Sequence, residues 1–165
     1  MQKAVYLVLF VFTSMCWAQD SSFLAVVKVD YSSTSGKEDT QFSLDKERHI
    51  FFIESDNKDE LLFYNTFLKE NEESHSAGNI KNVKRIKNTK EQQVYSFEWN
   101  VENSYDAIKS KAFVTLEINE SETINKESKA KITITNEKDL QLVYKGIISY
   151  YVNPLLFYYR LEKII

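Results

Sequence analysis

LQLVYKGIISYYVNPLLFYYRL, residues 140–161, is the densest apolar and aromatic block of the chain once its first eighteen residues are set aside. Three readings compete for it: a membrane span, a buried strand pair, or a strand followed by a helix. Its longest uncharged run, Gly146 to Tyr159, falls short of the roughly 20 residues that cross a bilayer and is broken by Asn153-Pro154. In the first half Leu140, Leu142, Tyr144, Ile148, Tyr150 and Val152 share one parity with Gly146. Gln141, Lys145 and Ser149 fall on the other, which is the period of a half-buried strand. Gly146 has no side chain to pack and marks a bulge or bend. Asn153-Pro154 ends the strand, because proline lacks an N–H for the ladder and restricts the residue before it. Beyond it, Leu155, Phe157, Tyr159 and Leu161 alternate as a last strand, whereas Asn153 as cap and Pro154 at the first helical position would open a helix. The alternation tips the expectation toward the strand.

Working outward, the same period recurs. Phe23, Ala25, Val27, Val29 and Tyr31 predict a first strand, and Gln41 to Leu44 a second, joined through the hairpin Asp45-Lys46-Glu47-Arg48 to a third over His49 to Glu54. Asn57 and Glu60 resemble a capping box, and Leu61, Tyr64 and Leu68 then stack at helical spacing, so one helix is predicted near 58–71. Glu70 to Gln93 is polar, acidic first and then basic, and reads as a long mobile loop with a short edge strand at Ile80 to Ile86. Tyr95, Phe97, Trp99 and Val101 form the clearest alternating face, followed by strands over Ile108 to Ile118 and Lys129 to Thr135. Short polar links between these late strands make an antiparallel meander the natural order. The fold class is therefore mainly β: a single antiparallel meander of about seven or eight strands, as a strongly curved sheet, small barrel or sandwich.

Residues 1–18 have the composition of a secretory signal peptide. Lys3 supplies the positive end, Ala4 to Phe12 the apolar run, and Cys16-x-Ala18 the small residues a signal peptidase needs. Cleavage before Gln19 leaves one β-rich domain, 19–165, exported to a periplasmic or extracellular space with no transmembrane segment. The alternative, a lipid anchor on Cys16, is disfavoured by Met15, which is bulkier than the residue usual before an acylated cysteine. Cys16 is the only cysteine, so the domain holds together by its core and not by disulfides. A formal charge of −3 argues against nucleic-acid binding, which needs a basic surface to displace counterions.

No catalytic constellation stands out. Gly36, Gly78 and Gly146 are the only glycines, so phosphate-binding and dinucleotide-binding loops are missing, and no serine sits on a G-x-S-x-G turn. His49 and His75 are too far apart in sequence to imply a metal site, and no cofactor or metal is expected. The leading expectation is a non-catalytic exported domain binding an apolar small molecule, on Tyr95, Phe97, Trp99 and Tyr150, or a protein partner, on Tyr151, Phe157 and Tyr158. A secreted or periplasmic hydrolase using His49 or His75 is the alternative.

The leader together with VKVDY (27–31), FSLDKERHIFFIESDNK (42–58) and FEWNVENSYDAIKSKA (97–112) resembles the first half of the secreted GLPGLI-type proteins. The motif that gives those proteins their name is missing here and the chain is much shorter. The resemblance implies nothing about function.

Overall fold

The computed structural model describes residues 22–55, 60–69, 75–103, 109–120 and 127–164. Its strands are β1 (Ser22–Thr34), β2 (Lys37–Glu38), β3 (Arg48–Glu54), β4 (Leu61–Phe67), β5 (His75–Asn88), β6 (Gln92–Asn103), β7 (Lys109–Asn119), β8 (Glu127–Asn136) and β9 (Gln141–Tyr150). Among the described residues there are also two helices, α1 (Thr40–Asp45) and α2 (Pro154–Glu162). From β3 to β9 each strand pairs antiparallel with the next, β3 pairs with β1, and β9 returns to β1, so the meander closes into a barrel. β2 is a short flap on the end of β1.

Closure depends on β1. Its first half pairs with β3 and nearly its whole length with β9, and its register shifts between Phe23 and Ala25 and again between Val29 and Tyr31. Such bulges bend a strand and increase its twist, which turns an open sheet into a barrel. Pairing carries one face around the ring: Val27 lies opposite Ile50 and Ile148, Phe52 opposite Phe63, Trp99 opposite Ala112, and Leu116 opposite Ile132. All of these residues are buried in one core. Each fully buried Phe, Ile or Leu contributes about 1.5–3 kcal/mol, so this face supplies most of the driving force.

The barrel ends are closed differently. At one end α1 packs against β1, where Arg48 lies over the Phe67 and Tyr144 rings (4.1 and 4.9 Å to the centroids) and donates to Asn65 Oδ1, Tyr144 Oη and Ser43 Oγ, each at 3.1 Å. Ser43 joins Ser32, which donates to Asp39. Burial alone would raise the Asp39 carboxyl, but hydrogen bonds from Ser32 and Thr34 and the charge of Arg48 outweigh it and hold the group below its ordinary range. At the other end α2 drives Phe157 and Leu161 into the core.

Several expectations require correction. Residues 155–161 are helix, not strand: the Asn153 side chain accepts from the Leu155 N–H at 2.9 Å and Pro154 occupies the first turn, so local capping overrides an alternation that short apolar runs share with helices. The helix predicted near 58–71 is strand β4 over its described part, because Leu61 and Phe63 face the core while Leu62 and Tyr64 face out; Asn57 lies outside the described residues. Gln41 to Leu44 is the helix α1, and the expected hairpin at 45–48 is its exit, with Glu47 at φ 51°. The expected loop at 70–93 contains the fourteen-residue strand β5. The irregularity expected at Gly146 falls on its partner, β1.

Candidate functional site

The four residues expected to hold an apolar ligand all point into the barrel: Tyr95, Phe97, Trp99 and Tyr150 are each at most 5% exposed. Their surroundings are other rings. Phe63 touches Trp99 at 4.8 Å and Phe97 at 5.8 Å between centroids, and Phe52 touches Phe63 and Phe157 at 5.3 Å each. Tyr150 meets Phe157 at 5.5 Å, and Tyr95 stacks on Tyr158 at 6.0 Å. Edge-to-face pairs of this kind add about 0.5–1.5 kcal/mol each beyond area burial. Side chains of the barrel and of α2 thus occupy the volume that a guest would need.

The hydroxyls of this cluster are tied together beneath α2. Tyr150 and Tyr158 share a hydrogen bond at 2.8 Å, Tyr158 donates to Glu120, Ser128 donates to Glu120 at 3.0 Å, and Tyr95 donates to Glu162 at 2.9 Å. Burial raises the phenol of Tyr95, Tyr150 and Tyr158 well above its ordinary range, and the carboxylates of Glu162 and Glu120 push further in the same direction. Tyr144, at the other end, is also raised by burial. An unfolded tyrosine ionises near pH 10, whereas these stay protonated when folded. Their contribution is therefore complete below about pH 10 and is lost as pH rises above it. Thermal melts should show a falling Tm above about pH 10, and Tyr158→Phe should flatten that fall; an unchanged Tm up to pH 11 would contradict the buried cluster.

The three residues expected at a partner surface separate. Tyr151 is 64% exposed, Phe157 is buried in the core, and Tyr158 is half-buried in the hydroxyl cluster. Phe157 is thereby removed from any surface, because the helix turns it inward.

What sequence reading missed is the outer wall beside Tyr151. The register sets Phe23 opposite Ile53 and Ile53 opposite Leu62, and in the next row Val26 opposite Phe51 and Phe51 opposite Tyr64. Paired residues share a face, so these side chains form one apolar field on the outside of β1, β3 and β4. Ring contacts trace it: Tyr151 to Phe23 at 6.0 Å, Phe23 to Phe51 at 5.7 Å, Phe51 to Tyr64 at 6.4 Å, and Tyr64 to His75 at 4.9 Å. His49 stacks beside Phe51 at 6.0 Å. The signal was present in the sequence, since HIFFIE is apolar at both parities, the mark of a strand covered on both faces.

Both histidines therefore border an aromatic wall. His49 Nδ1 lies 2.9 Å from the Glu47 carbonyl oxygen, and His75 also lines a broad open depression of about 820 Å³ with Gly78, Asn79, Asn100, Ser110 and Lys111. Among the described residues no group of three or more His, Cys, Asp or Glu side chains could hold a metal ion. The outer faces of β6 to β8 contrast with the wall, carrying the ion pairs Lys111–Glu98 at 2.6 Å and Lys131–Glu117 at 2.7 Å. No protein-family model, curated protein or solved structure matches this chain.

Proposed function

We propose that the chain is an exported, non-catalytic β-barrel that binds a protein partner through the aromatic wall of β1, β3 and β4. The observation that carries this reading is the combination of a ring-filled interior with apolar side chains on the outside of three adjacent strands. The field is exposed at Phe23 and Tyr151 and half-buried at Phe51 and Tyr64, and apolar surface with Phe and Tyr at its centre is characteristic of interaction sites. A small-molecule guest is the weaker version, because it would have to displace Phe157 and Leu161 from the core. No helix among the described residues is long and apolar enough to cross a membrane. Charged pairs outside β6 to β8 around an apolar interior are also the inverse of a barrel that faces lipid. Closure through β1–β9 leaves the long strands without a free sheet edge at that seam, which favours side-chain docking over strand addition there.

Photo-crosslinking in the producing cell tests the proposal. A benzophenone side chain at Tyr151 should give a discrete adduct, whereas the same probe at Phe113, exposed on β7, should give none. Intact mass of the purified chain should begin at Gln19. Equal labelling at the two positions, or none at Tyr151, would remove the wall from consideration.

A further inference from the structure

We propose that the barrel end carrying α2 rests on a lipid surface, into which the outward face of that helix dips. The proposal concerns a different part of the molecule from the wall, and its second argument rests on the export reading.

The first argument is the helix itself. A surface helix sets a polar face opposite its apolar one, whereas a helix that is apolar all round is covered on both sides. Over its first two turns α2 is of the second kind. Phe157 and Leu161 enter the core, while Leu155 and Tyr159, one turn apart on the opposite side, are 76% and 53% exposed. Leu156 beside them is 41% exposed and Tyr151, just before the helix, 64%. Charge is confined to the end of the helix. There Arg160 pairs with Glu54 at 3.1 Å and Glu162 with Arg85 at 2.8 Å, which fastens α2 to β3 and β5, and the Lys163 ammonium lies 4.8 Å over the Tyr159 ring. Leucine and tyrosine with a lysine at the rim is the composition of segments that lie in a membrane interface. The apolar side chains sit among the upper acyl carbons, the phenol stays at headgroup depth, and the ammonium reaches back toward water.

The second argument is the path of the chain. β1 begins with Ser22 at this same end: the Tyr151 N–H donates to the Leu24 carbonyl oxygen at 3.0 Å, and the Phe23 and Tyr151 rings are 6.0 Å apart. The apolar run of the leader ends at Phe12, ten residues before Ser22, and Cys16 stands six before it. An extended chain spans at most about 3.3–3.6 Å per residue, so a leader held in the bilayer keeps this end within about 35 Å of it, and an acyl group on Cys16 would keep it within about 20 Å. Of the two barrel ends, export therefore brings to the membrane the one with the apolar helix face, and α1 at the other end points away. A single lipid anchor holds a protein only marginally, and a second contact beside it is what makes attachment stable.

Flotation with phosphatidylcholine vesicles tests this on the chain prepared from Gln19 onward, where no leader contributes. The wild type should float at millimolar lipid. Leu155→Glu and Tyr159→Glu change side chains that stand more than half in solvent, so both should keep the wild-type circular dichroism. Each should weaken the partition about 10-fold or more, since a charge replaces an apolar contact. Phe113→Glu, on β7, should float as the wild type does. Brominated phosphatidylcholine should quench a Tyr159→Trp variant and leave the Trp99 emission of the wild type unchanged. A wild type that stays in the unbound fraction at every lipid concentration overturns the inference, as does flotation that neither α2 variant alters. So does a discrete protein adduct from a benzophenone at Leu155 in the producing cell, which would assign this face to a protein. If the intact mass begins at Met1 while the Gln19 chain still floats, the export reading alone fails and the lipid contact stands.

Discussion

A Gly146→Ala variant should lose about 3–5 kcal/mol of stability, more than the ~1–3 kcal/mol usual for one added methyl group. A Cβ at this position would lie 2.0 Å from the carbonyl oxygen and 2.8 Å from the carbonyl carbon of Lys28, with Val29 Cα at 3.0 Å. All three atoms are backbone, so no rotamer change relieves the clash. Gly146 pairs with Val29 across the β1–β9 seam and with Ala130 on its other side. Relief requires β1 and β9 to part, which strands buried N–H and C=O groups at about 1–3 kcal/mol each. The loss is a large share of the roughly 5–15 kcal/mol that a domain possesses. Gly36→Ala is the matched comparison: Gly36 has φ 80° but nothing within 4 Å of its Cβ position, so it should cost only about 1 kcal/mol of backbone strain. Urea unfolding of the two variants separates the effects. Equal, small losses would mean that β1 and β9 do not approach at Gly146, and the barrel would be open at its seam.

The meander was legible because its strongest signals are one-sided. Tyr95, Phe97 and Trp99 alternate with Ser96 and Glu98, and Ala130, Ile132 and Ile134 with Lys131 and Thr133, so each strand declares its own period. β5 did not, because its inward positions include Ser76 and Gly78 and its outward positions carry lysines, so a strand sheltered by its neighbours looks like a loop. The opposite failure occurred at β4. LLFYNTF is apolar on both faces, and a run without alternation satisfies helical and strand spacing equally. α2 was misread for a local reason, since one side chain-to-backbone hydrogen bond at Asn153 and a proline in the first turn outweigh a two-residue period. The interior aromatic cluster could be read from one strand at a time. The outer wall left only a partial signal, the two-sided apolar run HIFFIE, because Phe23, Phe51 and Tyr64 belong to three strands and become neighbours only through cross-strand register, which sequence alone does not set.

Register is also what the second large effect tests. Trp99 is 4% exposed, packs edge-on against Phe63 at 4.8 Å, and lies opposite Ile80 on β5 and Ala112 on β7. Removing the indole leaves a cavity that these strands cannot collapse into without shifting the barrel, so Trp99→Ala should cost about 3–5 kcal/mol. The loss comes from packing and not from a hydrogen bond, because Trp99 Nε1 is buried without a partner among the described residues. Trp99→Phe keeps a ring against Phe63, leaves a smaller void and deletes that unsatisfied donor, so it should cost about 1–2 kcal/mol, clearly less than the alanine change. The contrast between the two variants in chemical denaturation, followed by circular dichroism, therefore reports the environment of the indole and not merely its size. In a chain prepared from Gln19 onward Trp99 would be the sole tryptophan, and its emission should be blue-shifted and resistant to iodide quenching. Red-shifted, quenchable emission, or an alanine variant as stable as the phenylalanine one, would place Trp99 outside the barrel. Period two would then carry Tyr95 and Phe97 out with it. The ring-filled interior would be lost as an argument, and with it the reason for placing recognition on the wall and not in the lumen.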